Sequence, residues 1–276
     1  MKQTARQVAL GALGAFRRDG AWSDGYLKTA IRTGTLDVRD AALATQLTYG
    51  VLQNRMLCDF YIDTYSSVKR NKITPKILDV LRLGVYQLVF LERVPAHAIV
   101  NEAVRVARRD NPHAAGFVNA LLRTIDRKRD VLPVPESLSI QYSHPQWIVD
   151  KLNEQYGIEL CEKILQANNE IPPITARVNP LIGTVEDACA TLSAEPHPWL
   201  SGCVILHHTG DISEQPAYLT GLITVQDPAS QLAALTMGVK PGMHILDVCA
   251  APGGKSFVMA EEMNGTGQVM ACDIHS

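Results

Sequence analysis

The sequence predicts a multidomain chain in three parts: an all-α bundle, a small α+β linker domain, and the start of an α/β Rossmann-like domain. Three observations predict it. Apolar residues recur at helical spacing through about residue 130, with no alternating strand pattern among them. A spacer carrying two prolines then breaks the pattern. Beyond it, strand-like and helix-like segments alternate, and the last of them meet at a Gly-Gly-Lys turn. Size and composition agree with this. The chain has 276 residues, 46% hydrophobic and 20% charged, which excludes disorder and leaves room for two or three cores.

In the first part, Ala5, Val8, Ala9, Ala12, Leu13 and Phe16 make one apolar stripe. Leu43, Leu47 and Val51 make a second, with Asp37 or Asp40 as its cap. Ile77, Leu81, Gly84 and Leu88 make a third, opened by Thr74-Pro75 in N-cap and N1 order. Ile99, Ala103 and Val106 make a fourth, and Phe117, Leu121 and Ile125 a fifth. Together they predict a helical domain over 1–132. The spacer is Val131 to Ser137, held extended by Pro133 and Pro135.

The second domain, 138–221, opens with short helices over Pro145–Tyr156 and Ile158–Ala167. Ile174–Val178 is β-rich and ends at Asn179-Pro180. A helix over Val185–Leu192 and a strand over Cys203–His207 follow. The third part, 222–276, begins with a short apolar run, Leu222–Val225, and a helix opened by Asp227-Pro228. Strand His244–Cys249, helix Gly254–Met263 and strand Gln268–Cys272 complete it as a βαβ unit.

The net charge of −2 hides an asymmetry. Residues 1–140 carry 21 Lys and Arg against 13 Asp and Glu, whereas residues 141–276 carry 5 against 15. A basic half points to a polyanionic partner such as RNA. Arg105, Arg108, Arg109, Arg123, Arg127, Lys128 and Arg129 cluster late in the bundle and are candidate phosphate contacts. The competing reading is a solvated helical face. No apolar run is long enough to cross a membrane as a helix, and Arg17 and Arg18 interrupt the N-terminal apolar segment, so neither a membrane nor a signal peptide is expected. The six cysteines form no C-x-x-C pair and no zinc-ligand spacing. The expectation is free thiols in a reducing cytoplasm, with no metal.

The string Ile245 to Ser256 carries the chemistry. Gly253 and Gly254 let a ligand approach the backbone, the following helix offers unpaired N–H groups, and Lys255 adds a cation. Three ligand classes compete. A P-loop would need a glycine where Cys249 stands. A dinucleotide site would need G-x-G-x-x-G, and the two glycines here are adjacent. The third is S-adenosyl-L-methionine, whose carboxylate suits the glycine turn and Lys255, with Asp273 at the end of the next strand to bind ribose hydroxyls. A capping or turn role for Asp273 is the plain alternative.

Asp247 to Ser256, followed by Val269 to Asp273 and preceded by Val225 to Gln231, resembles the RNA cytosine 5-methyltransferases of the NOL1/NOP2/Sun group. Leu81 to Leu88, Val94 to His97, Asn101 to Val104 and Gly116 to Arg123 resemble a NusB-type RNA-binding bundle. Bundle and motif together are similar to the RsmB type (Sun/Fmu) of bacterial 16S ribosomal RNA methyltransferases. The resemblance implies S-adenosyl-L-methionine held by Cys249, Ala250, Ala251, Pro252, Gly253, Gly254 and Lys255, with Asp273 on its ribose. It implies small-subunit ribosomal RNA as substrate, a cytoplasmic monomer, and RNA contact near Arg177, Asn179 and Pro180. It also implies covalent catalysis: a thiolate adds to carbon 6 of cytosine and activates carbon 5. The group's catalytic cysteines stand in Pro-Cys and Thr-Cys dipeptides downstream of this motif, and the sequence contains neither. The chain is therefore expected to be truncated, with no catalytic residue of its own. The alternative is a NusB-like RNA-binding or transcription-regulating adaptor without catalytic activity.

Overall fold

The computed structural model describes residues 4–19, 23–33, 36–207, 210 and 212–274. They form two compact units, Met1–Glu170 and Ile171–Ser276.

The first unit is helical: α1 (Ala5–Asp19), α2 (Ser23–Thr33), α3 (Val38–Gln53), α4 (Arg55–Tyr65), α5 (Pro75–Phe90), α6 (Ala96–Asp110), α7 (Ala114–Arg127), α8 (Leu138–Gln141), α9 (Gln146–Tyr156) and α10 (Ile158–Asn168). All five stripes foreseen in the bundle are helices. Asp37 caps α3 by accepting from Asp40 N at 2.8 Å, and Pro75 opens α5 after Thr74. Three helices lay outside the expectation: α2, α4 and the four-residue α8. α2 shows only Leu27, Ala30 and Ile31 to the core, too few for a periodic signal. α4 is separated from α3 by Asn54 alone, so no turn sequence marks the joint.

α5 is the axis of the bundle. It is buried on nearly every side, as expected of a helix apolar all round. Leu81 and Leu88 are fully buried, and Gly84 lets α7 come close: a Cβ there would stand 2.8 Å from Leu122 Cδ1. Each such leucine contributes about 1.5–3 kcal/mol by burial. The same helix buries charge. Arg82 donates to both oxygens of Asp59, at 2.7 and 2.8 Å, and to Asp79 at 3.3 Å. Arg17 from α1 reaches Asp79 at 3.1 Å, and Arg70 reaches Asp59 at 3.0 Å. Burial works to lower the Arg82 pKa, but the hydrogen bonds and field of Asp59 and Asp79 outweigh it and the net shift is upward.

The sequence sets α8–α10 in the segment 138–221; in the structure they group with the bundle. Leu57 N donates to Ser143 Oγ at 3.1 Å, so the proline spacer returns the chain to α4. A small cluster of Val149, Cys161 and Leu165 holds α9 to α10.

The second unit contains an antiparallel sheet and a βαβ unit. The sheet runs β2-β3-β1-β4, from β1 (Ile174–Val178), β2 (Ala194–Pro196), β3 (Cys203–Leu206) and β4 (Ile223–Val225). α11 (Val185–Thr191) covers it through Ala188, beside the buried Ala176, Val178, Val204 and Ile223. The sequence places Leu222–Val225 at the head of the last domain. Here β4 pairs with β1, Ala176 opposite Val225 and Val178 opposite Ile223, so it completes the antiparallel sheet. A three-residue apolar strand does not encode which sheet it joins; the Ile223 side chain settles into the core of the first one.

After the short α12 (Pro216–Leu219), α13 (Pro228–Leu235) leads to β5 (His244–Asp247), α14 (Gly254–Glu262) and β6 (Gln268–Ala271). β5 and β6 are parallel, with Ile245 opposite Val269 and Leu246 opposite Met270. Ala234, Val258 and Met259 pack α13 against α14, with Ile245 of β5 alongside. Among the described residues no helix is long and apolar enough to cross a membrane, and no cluster of His, Cys, Asp or Glu could hold a metal ion.

Candidate functional site

The site forms where β5 hands over to α14. Asp247, the last residue of β5, uses both carboxylate oxygens on the loop that follows: one accepts from Cys249 N at 3.2 Å, the other from Ser256 Oγ at 2.7 Å. Strand pairing extends past the ladder, since Cys272 N donates to Asp247 O at 2.7 Å and Ala250 N to Cys272 O at 3.0 Å. Asp273 then accepts from Ala251 N at 2.8 Å. The loop Cys249–Pro252 is thus pinned at one side by the strand that precedes it and at the other by the end of β6.

Gly253 sits in the left-handed region at φ +101° and serves as the N-cap of α14. A side chain there would be strained, which is the physical reason for glycine. A Cβ on Gly254 would stand 3.2 Å from Gln226 Nε2, tighter than ordinary contact. The first N–H groups of α14 have no intrahelical acceptor, and the helix dipole adds partial positive charge. Lys255 is exposed beside them. The arrangement suits the carboxylate of an amino acid moiety. That is the donor set S-adenosyl-L-methionine requires, and the residues present fit it.

Behind the turn lies a buried polar group. Arg177 of β1 donates through Nε to Gln226 Oε1 at 2.9 Å and makes an ion pair with Glu261 of α14. Its Nη2 is buried without a partner among the described residues, and burial lowers its pKa. Glu261 lies near the C-terminal end of α14, where the dipole disfavours an anion, so Arg177 offsets an otherwise unfavourable placement. Arg177 is 5% exposed and faces this network; the expected RNA contact by its side chain is not what its burial allows. Asn179 is a turn former, accepting from Leu181 N at 3.0 Å.

All eight sequence-predicted site residues, Cys249 to Lys255 and Asp273, come together around this one turn. Asp227 is a helix cap, accepting from Ala229 N and Ser230 N. Three supporting residues lie within the motif stretches but were assigned no role from sequence: Asp247, Ser256 and Gln226. Asp247 had a signal, a carboxylate ending a strand before a glycine turn. The contact made by Gln226 had none, because its partner Arg177 lies 49 positions away. Burial raises the thiol pKa of Cys58 and of Cys203, so neither is primed as a thiolate.

Three family models match the chain in order: the NusB family over residues 3–127, the RsmF/B-like methyltransferase ferredoxin-like domain over 144–213, and the 16S rRNA methyltransferase RsmB/F domain over 234–276. The probable ribosomal RNA small subunit methyltransferase B of Bacillus subtilis (strain 168) is 34% identical over 100% of this chain and 64% of its own length. The probable enzyme of the same name from Synechocystis is 31% identical over 99% of the chain and 64% of its own length. Ribosomal RNA small subunit methyltransferase B of Serratia proteamaculans is 32% identical over 87% and 57%. The chain therefore spans less than two thirds of the length of these relatives. The crystal structure of PH0851 shares the fold, with a TM-score of 0.70 at 22% identity over 98% of this chain and 62% of that one. A NusB region, an RsmF/B-like ferredoxin-like region and an RsmB/F methyltransferase region follow one another in this single polypeptide, which is similar along its whole length to proteins named ribosomal RNA small subunit methyltransferase B.

Proposed function

We propose that this chain supplies the RNA-targeting part and the opening of the cofactor site of an S-adenosyl-L-methionine-dependent methyltransferase acting on carbon 5 of a cytosine in 16S ribosomal RNA. In this reading 1–132 is the NusB-like RNA-binding domain, the chain from 138 through β4 is the small domain before the catalytic one, and the chain from α13 onward is the first part of the Rossmann-like domain. The protein works as a cytoplasmic monomer, without metal.

The observation that carries it is the turn at Gly253, held by Asp247 and Asp273, with the free amides of α14 above it. The cofactor supplies an electrophilic methyl group when bound. The chain's residues do the holding. Gly253, Gly254 and Lys255 take the amino acid end, and Cys249 to Pro252 shape the loop. Asp273 exchanges its Ala251 N–H for ribose hydroxyls, or shares its carboxylate between them. The cysteine that adds to carbon 6 is none of this chain's six, whose preceding residues are Leu57, Leu160, Ala188, Gly202, Val248 and Ala271.

The test has two arms. Equilibrium dialysis with S-adenosylhomocysteine should show binding that is lost on Gly253→Val or Asp273→Asn; unchanged affinity in both variants refutes the cofactor site. Incubation of the 276-residue polypeptide with radiolabelled S-adenosylmethionine and 16S ribosomal RNA should give no methyl transfer, and turnover would refute the assignment of the nucleophile. The adaptor reading draws on a different observation, the closed core of the basic bundle. It requires salt-sensitive RNA binding with no cofactor binding at all.

A further inference from the structure

The seven basic residues late in the bundle do not share one surface. Lys128 stacks over the Tyr65 ring at 5.5 Å, and Arg127 turns back to Thr124 at 3.2 Å. Arg105, Arg108 and Arg109 instead line a groove of about 410 Å³ with Asn101, Val104 and Asn119. The groove runs between the outer faces of α6 and α7. Asn101, Arg105 and Arg109 are spaced four residues apart on α6, and Arg123 lies one turn beyond Asn119 on α7.

The groove is electrostatically one-sided. No carboxylate lines it. Its neighbour Glu102 is held by Arg105, and Asp110 by Lys76 of α5 at 2.6 Å. Arg108 and Arg109 are exposed, and neither has an ion pair among the described residues. Arg105 is exposed and Glu102 half-buried, so a phosphate can reach the guanidinium and compete with the carboxylate for it. Guanidinium groups bind phosphate bidentately. The two asparagine amides carry donors and acceptors that match base edges, and half-buried Val104 gives an apolar floor for a base. Such chemistry selects unpaired RNA, whose bases can turn out of the stack, over a duplex whose base edges are closed.

We infer that the groove between α6 and α7 is a single-stranded RNA site, with Arg105, Arg108 and Arg109 on phosphates and Asn101 and Asn119 on a base. This rests on the proposed RNA-targeting role of the bundle and locates it. An acidic protein segment is the competing occupant.

The test is fluorescence anisotropy of the full 276-residue chain with a labelled unpaired loop segment of 16S ribosomal RNA, and with a duplex of equal phosphate number, across a salt series. Arg108→Glu with Arg109→Glu should weaken single-strand binding by about tenfold or more. It should also lower the slope of log affinity against log salt by about 1.4, two phosphates' worth. The charge-neutral Arg108→Gln with Arg109→Gln should do the same more weakly. Asn119→Ala should narrow the preference for single strand over duplex and leave the salt slope alone. Arg127→Glu with Lys128→Glu, outside the groove, should change affinity by no more than about twofold. If the native chain binds RNA and the α6 variants bind equally well, the groove is wrong but the RNA-targeting role stands. If the control pair weakens binding as much as the α6 pair, the attraction is diffuse and the site is overturned. If the native chain binds no RNA while an acidic peptide binds in the groove, both the site and the RNA-targeting role fall.

Discussion

The α5 axis of the bundle and the β5–α14–β6 unit are both rich in apolar residues, yet they bury them very differently. On α5, Ile77, Leu81, Val85 and Leu88 are at most 2% exposed. On the βαβ unit, Leu246 is 60% exposed, Met270 57%, Val248 64% and Phe257 53%. Parallel strands are ordinarily covered on both faces by helices, and here α13 and α14 cover only one side through Ala234, Val258 and Met259. The difference teaches that the two regions draw on different sources of order. The bundle rests on burial and on an internal charge network. The turn at Gly253 rests on local hydrogen bonds accepted by Asp247 and Asp273, with Arg177 behind it.

The comparison can be broken first by hydrogen exchange on the intact chain. Amides of β5 and β6 should exchange at least ~100-fold faster than those of α5, equivalent to about 2.7 kcal/mol of opening free energy. Equal protection would mean the two regions unfold as one. Arg82→Met tests the charge network. Leaving Asp59 with only Arg70 should cost about 3 kcal/mol in urea unfolding of the first unit, while Arg82→Met with Asp59→Leu should recover much of it. A negligible loss in the single variant would show the network to be dispensable. Leu122→Ala against Leu246→Ala sharpens the contrast in packing. The first should cost about 2–5 kcal/mol and the second less than about 0.5. Similar costs would indicate that the exposed strand face is covered in solution.

The smallest effect is in the capping box of α11. Thr184 N–H and Oγ–H bind Asp187 Oδ2, both at 2.9 Å, and hold its carboxyl below the usual value. A lowered folded pKa means that this contribution is present above the unfolded carboxylate pKa and is lost as pH falls through the folded one. Thermal melting followed through α11 should therefore show a slight acid-side loss that Asp187→Asn removes. An unchanged pH profile in that variant would discard the assignment.

Much of the molecule was legible before any coordinates. Helical stripes such as Ile99, Ala103 and Val106 report their own burial, because the 3.6-residue period is written locally. The glycine turn was equally plain, since a left-handed residue ahead of a helix admits almost only glycine. What local pattern could not supply was partnership across distance. Arg177 reads as a surface cation until Gln226 and Glu261 are found beside it. Leu222–Val225 reads as the start of the last sheet until it pairs with β1. Seven clustered basic residues read as one patch until Lys128 turns to Tyr65 and three arginines gather around Asn119.

The sequence by itself determined most of the helices and strands, where the glycine turn lies, and that the first half is basic. These follow from backbone sterics, short-period hydrophobicity and charge, all properties of neighbours in the chain. Only the tertiary structure decided which strand joins which sheet, which arginine is buried and which cations share a groove. Those depend on contacts between residues far apart in sequence, whose free energy exists only once the chain has folded.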